Sequence, residues 1–177
     1  MLELTRRRML VSAGAVWAAS QLPRAVSAAD DWGPIQFLVG HWSGEGSGEP
    51  GKGTGAFSFL PDVQGHVLVR KNFAEYPPAE GKPASRHDDL TIIYMDETSN
   101  QLKAIYFDNE GHVIRYLVDP VDQGAVFTSE GGRDVTRYRL TYTKKGEDRL
   151  IVKFEVAPPS KDFATYIEAV VQREKSN

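Results

Sequence analysis

An antiparallel, up-and-down β-barrel of about ten strands is the fold this sequence predicts, and three observations predict it. Ten short runs alternate apolar and polar residues with a period of two. Turn-forming residues separate almost every pair of runs. No pattern of helical period and useful length lies between them, which argues against a parallel α/β sheet. A meander of that many strands exposes two edges unless it closes on itself, and closure is the usual solution.

The chain has 177 residues, 41% hydrophobic and 25% charged, a composition that folds and a length that suits one domain with a real core. It contains no cysteine, so disulfides, thiolate metal sites and iron–sulfur ligation are excluded.

Residues 1–28 read as a secretory signal peptide. Arg6-Arg7-Arg8 is a basic start, residues 9–19 are an apolar run too short to anchor in a bilayer, and Val26-Ser27-Ala28 offers small residues for cleavage. Thr5-Arg6-Arg7-Arg8-Met9-Leu10 resembles the twin-arginine signal, and Arg24 suits that route. The expected compartment is periplasmic or secreted, with residues 29–177 as the barrel domain. Removing the signal takes away four positive charges and one negative, moving the net charge from −3 to −6. An acidic domain is a poor partner for nucleic acid, and no later apolar segment is long enough for a transmembrane anchor. The sequence names neither a cofactor nor an oligomeric state.

In the mature chain, Trp32 to Gly40 forms a short apolar segment of one or two helical turns, with Asp31 as its N-cap and a place across one end of the barrel as a lid. The strands follow at roughly 41–48, 53–60, 66–75, 89–95, 101–108, 112–119, 125–129, 136–143, 149–157 and 165–173. The longest connection, 77–88, reads as a solvated excursion. The glycines between 44 and 55 lack the context of a phosphate loop and read as a tight, bent first hairpin. At 102–118 two alternating runs flank Asp108-Asn109-Glu110-Gly111, a hairpin signal.

Gly40-His41-Trp42 resembles the G-x-W opening of lipocalin and calycin barrels. In those families a short helix leads into the first strand, and a basic residue of the last strand stacks on the Trp. Arg173 stands where that partner belongs. The longer stretch from Phe37 to Gly46 is similar to nitrobindin-like and related bacterial lipocalin-like domains of unknown function. The resemblance implies a barrel with an internal ligand pocket. Some nitrobindin-like barrels bind haem through a late His, and this sequence has none after His112.

Candidate site residues come from strand alternation and side-chain chemistry. The hairpin at 102–118 carries Tyr106, Asp108, His112, Arg115 and Tyr116, the densest polar group in the chain. Asp108 is positioned to pair with His112 across the turn, and Asp88-Asp89 flank His87. A buried mid-strand Arg needs an anion, so Arg70, Arg115, Arg137 and Arg139 require Glu155, Glu168 or a ligand carboxylate if they point inward. Arg139 with Tyr138 or Tyr166 resembles in type the head-group site of fatty-acid-binding barrels. The candidate ligand-binding set is His66, Arg70, His87, Tyr106, Asp108, His112, Arg115, Tyr116, Arg139 and Tyr166. Phe57, Phe59, Phe73 and Ile93 are expected to line the remainder. The four histidines lack the short spacings that put two metal ligands on one face, and no G-x-S-x-G nucleophile elbow is present. The expected function is binding of a small amphipathic molecule in an internal pocket. The alternatives are an enzyme using that pocket, with His112 or His87 as general base and Asp108 as orienter, or a filled structural barrel.

Overall fold

The computed structural model describes residues 32–175 except residue 80. The expected signal peptide and the expected Asp31 cap lie outside the described residues. A six-residue 3-10 helix, Gly33–Leu38, enters ten antiparallel strands: β1 Gly40–Gly48, β2 Gly53–Asp62, β3 Val67–Tyr76, β4 Ser85–Asp96, β5 Gln101–Asp108, β6 Val113–Val121, β7 Gly124–Ser129, β8 Arg137–Lys144, β9 Arg149–Ala157 and β10 Ala164–Arg173. Each strand pairs with its neighbour in sequence, and β1 pairs with β10, so the barrel is closed. Among the described residues no helix is long and apolar enough to cross a membrane.

Ten strands at the expected places follow from the alternation, with one correction. β4 begins at Ser85, because its ladder with β3 continues out to Tyr76–Ser85. The connection is therefore 77–84, shorter than the expected 77–88. Arg86 explains the extension: its guanidinium lies over the Phe73 ring, 4.5 Å from the centroid, and bonds Glu75 at 2.6 Å. Phe73 consequently belongs to the outer face and lines no interior.

The core identifies the inward face of every strand. Trp42, Phe57, Phe59, Leu68, Ile93, Ala104, Val118, Phe127, Leu140, Tyr142 and Leu150 are buried there, with Ile35 and Leu38 of the 3-10 helix fully enclosed. This is the closed end of the barrel. The other end, where the 109–112, 130–136 and 158–163 connections gather, is the mouth.

Closure rests on a seam. Arg173 stands directly opposite Trp42 in the β1–β10 register, and its guanidinium lies 4.2 Å from the indole. It donates to the carbonyls of Val39 at 2.6 Å and Phe37 at 2.9 Å, while the Trp42 indole N–H donates to the Leu38 carbonyl at 2.9 Å. One side chain thus satisfies carbonyls at the end of the 3-10 helix and joins the last strand to the first. Farther along the seam the strands approach so closely that a Cβ at Gly44 or Gly48 would lie 2.2 or 2.0 Å from the carbonyl oxygens of Val170 and Tyr166. Glycine is required there by the bend.

Arg173→Met keeps most of the stem and removes the charged donors. We expect a loss of about 2–4 kcal/mol in urea unfolding, from two charge-assisted bonds and the cation–π contact. A loss below about 0.5 kcal/mol, the level of an ordinary surface change, would remove the seam from its structural role. Gly44→Ala should be worse tolerated than Ala56→Gly on the neighbouring outer face, as thermal denaturation of the two would show.

Candidate functional site

Alternation carries seven polar side chains of three adjacent strands onto the inner face above the aromatic core. They are Arg70 and Asn72 from β3, His87, Asp89 and Thr91 from β4, and Asp108 from β5, with Tyr106 among them. The ladder places Asn72 opposite Asp89 and Asp89 opposite Asp108, so the groups meet by register.

Asp89 is the centre. One carboxylate oxygen receives the Arg70 guanidinium in a close ion pair, and the other accepts from Asn72 at 2.7 Å. The Arg70 and Asp89 side chains are 7% and 4% exposed. Burial works against the arginine's charge, and Asp89 together with Tyr142, Tyr106 and Tyr116 more than offsets it, so the guanidinium stays charged. It also lies over the Phe57 ring at 5.1 Å. The Arg70 Nε, the Thr91 hydroxyl and the Tyr142 hydroxyl are buried without hydrogen-bond partners.

From Asp89 a chain of contacts runs outward to the mouth. The His87 Nε2 is 3.6 Å from Asp89 and 2.9 Å from the Tyr106 hydroxyl, and its Nδ1 is 3.2 Å from Glu110. The Tyr106 hydroxyl donates to Asp108 at 3.1 Å. Asp108 accepts from the Glu110 and His112 backbone N–H groups at 3.0 and 2.9 Å, and its second oxygen lies 2.8 Å from the His112 Nδ1. One carboxylate therefore both builds the turn of the 102–118 hairpin and anchors the outer end of the cluster. Burial opposes its ionised form, but the hydrogen bonds from His112, Tyr106 and Glu110 prevail and hold it below the usual carboxylate range.

The tyrosines stay neutral. Burial, reinforced by Asp89 and Asp108, raises Tyr106 far above the ordinary phenol range. Tyr116 is raised mainly by burial, and Tyr142 is pushed up to about 12 for the same reason. Their rings belong to a continuous aromatic path across the interior: Tyr106 to Tyr116, Tyr116 to Phe127, Phe127 to Tyr142 and Tyr142 to Phe57, with centroids 5.6–6.5 Å apart. Nearer the mouth, Tyr138 stacks on Phe154 at 6.0 Å, and Phe154 meets Tyr166 edge to face.

The candidate residues divide into two groups. Arg70, His87, Tyr106, Asp108, His112 and Tyr116 come together. Asp89 and Asn72 join them; an inward Asp beside a mid-strand Arg was visible in the sequence only as a neighbour of His87. His66 lies at the β2–β3 turn, the opposite end of β3 from the His87 pairing with Ala74, about 26 Å away along the strand. Arg115 is exposed on the outer face. Arg139 also points outward, away from Tyr138, where it bonds Glu155 through two nitrogens at 2.6 and 2.9 Å and packs over Phe163. Tyr166 is 38% exposed at a β-bulge between Thr165 and Ile167. Phe57, Phe59 and Ile93 are core residues.

Two concavities lie at the two ends of the barrel, and neither is lined by residues of the cluster. One of about 1000 Å³ lies beside the mouth, walled by the exposed Glu45, Glu75, Glu168 and Val170 and meeting the lumen rim at Gly46, Tyr76 and Ala169. One of about 630 Å³ lies at the closed end beside Trp32, His66 and Leu117. Among the described residues no group of three or more His, Asp or Glu converges as metal ligands would. Haem does not fit either: His87 has both ring nitrogens engaged, His112 sits half-exposed at a turn, and His41 and His66 lie outside the lumen. No family model matches the chain, and no curated protein sequence matches it.

Asp89→Asn leaves the buried guanidinium uncompensated and should cost about 3–5 kcal/mol in urea unfolding, whereas Arg70→Met with Asp89→Leu should recover more than half of that loss. The Glu155 carboxyl is held low by the Arg139 hydrogen bonds, against burial. Its folded value lies below its unfolded one, so its stabilisation is present above the ordinary Glu value of about 4.3 and disappears as pH falls through that value and the lower folded one. Thermal midpoints measured from pH 6 down to about pH 3 should fall more steeply for the wild type than for Glu155→Gln.

Proposed function

We propose that the barrel binds a small amphipathic molecule in the upper lumen, its polar end on the His87–Tyr106–Asp89 cluster and its apolar body against Ile114, Tyr138, Phe154 and Ile167. The observation that carries this reading is the chain of ionisable groups running from a buried ion pair to a partly exposed mouth. A purely structural core has no use for carboxylates 4% exposed beside half-buried aromatic rings. The glycines on the inward positions of β1 and β2 add no side-chain bulk on that side of the mouth. We further infer export to the periplasm or beyond, from the signal-like residues 1–28, and a kinship with lipocalin-like bacterial barrels, from the G-x-W opening and the Arg173 stack.

A second reading has its own observation. Asp108 holds the His112 Nδ1 at 2.8 Å while the ring stays half-exposed, the arrangement of a general base with an orienting carboxylate. Chemical turnover of a bound molecule, abolished in His112→Gln with binding retained, would favour it.

The binding reading is tested on the mature domain labelled with nitrogen-15. Titration with dodecanol below its solubility limit should shift the amides of Tyr106, Ile114, Tyr138 and Ile167 and leave those of Val118 and Leu150 in place. Ile167→Trp, which fills the mouth, should weaken the response by about tenfold or more. Shifts spread evenly over the surface, or none with dodecanol and with lipid extract, would overturn it.

A further inference from the structure

We propose that the lumen selects an amine-type, cationic head group and rejects carboxylates. This rests on the lumen-binding reading and narrows its ligand class. An arginine inside a barrel suggests a fatty-acid site at first sight, but here the charge of that arginine is already paired with a carboxylate. Asp89 takes the Arg70 charge, and the other arginine with a buried anion, Arg139, has Glu155 on the outer face. Among the described residues no further Lys or Arg reaches the polar cluster, so a ligand carboxylate entering the upper lumen would meet no unpaired cation.

It would instead meet carboxylates. Asp89, Asp108 and Glu110 all contact His87, Tyr106 or His112. Arg70 with an imidazolium at His87 leaves three negative groups facing two positive ones. Charging His112 as well brings the cluster only to balance, never to an excess of positive charge. At the Tyr106 hydroxyl burial is the largest cause of the rise, and the two aspartates add to it against the smaller opposing effect of Arg70. An added anion in this low-dielectric setting is repelled, and an added cation is attracted.

The aromatic walls point the same way. Tyr138 stacked on Phe154 and Tyr106 edge to face with Tyr116 bring aromatic rings and phenolic oxygens to the upper lumen, groups that accept an ammonium through cation–π contacts and hydrogen bonds. Outside, the 1000 Å³ concavity at the rim carries Glu45, Glu75 and Glu168 against Lys52 and Arg86, a further negative balance on the approach.

The test compares three probes of one chain length, dodecylamine, dodecanol and dodecanoate, each below its critical micelle concentration at neutral pH, by amide shifts of the mature labelled domain. The amine should bind at the mouth at least about tenfold tighter than dodecanoate, with the alcohol between them. Raising salt should weaken the amine and leave the alcohol unchanged, and Glu110→Gln, at an exposed turn, should narrow the gap between amine and acid. Dodecanoate binding at the mouth as tightly as the amine would overturn the selectivity while leaving the lumen reading in place. Amine shifts confined to Glu45 and Glu168 on the outer face would overturn the selectivity in the lumen. Failure of all three probes to shift the mouth amides would overturn the lumen reading and this inference with it.

Discussion

The contact of Arg173 with Trp42 is what the remaining structure depends on. A ten-strand meander has two long edges, each a row of unpaired backbone groups. Joining β10 to β1 removes both at once, and the join is held by a side chain that also satisfies carbonyls at the end of the 3-10 helix. With the ring closed, every strand has a definite inside, and the aromatic residues of β2, β6, β7 and β8 meet across the interior. The seam is also where side chains are least tolerated, which is why β1 is rich in glycine beside β10.

Above that aromatic layer the barrel departs from an ordinary core. A filled apolar interior of the same volume would be at least as stable as one containing the Arg70–Asp89 pair, since desolvating two charges returns little net stability. The pair belongs to a connected set of hydrogen bonds and charge contacts that ends at a mouth where His112 is half exposed and His87 about a quarter. Such a graded set of polar groups, buried at one end and wet at the other, suits a site that receives one polar end of a ligand. On the binding reading proposed above, the excess of carboxylates would decide which kind of polar end.

Much of this was legible in the sequence. Period-two alternation and turn residues located all ten strands. Asp108-Asn109-Glu110-Gly111 marked the hairpin, and the Asp108–His112 contact across it was anticipated from their spacing. The seam partners were anticipated from the likeness of Gly40-His41-Trp42 to other barrels. What resisted reading was the choice of face. Val69, Ile92 and Ile105 form an apolar row on the outer surface, opposite one another in the ladder, while Arg70, Asp89 and Thr91 lie inside. With apolar residues outside and charges inside, hydrophobicity alone cannot orient a strand.

The sequence by itself determined the strand count, the turns and the closed antiparallel order, because those depend on local alternation and on neighbours in the chain. Only the tertiary structure decided which arginine is interior. Arg70 and Arg139 look alike in their strands, and each finds a carboxylate that is 16 or more residues away in sequence. One pair is enclosed beneath the aromatic rings, and the other lies on the outer surface under Phe163. The physical reason is that the inside of a barrel is defined by closure around the whole ring, and a single strand carries no record of which way the ring will curve.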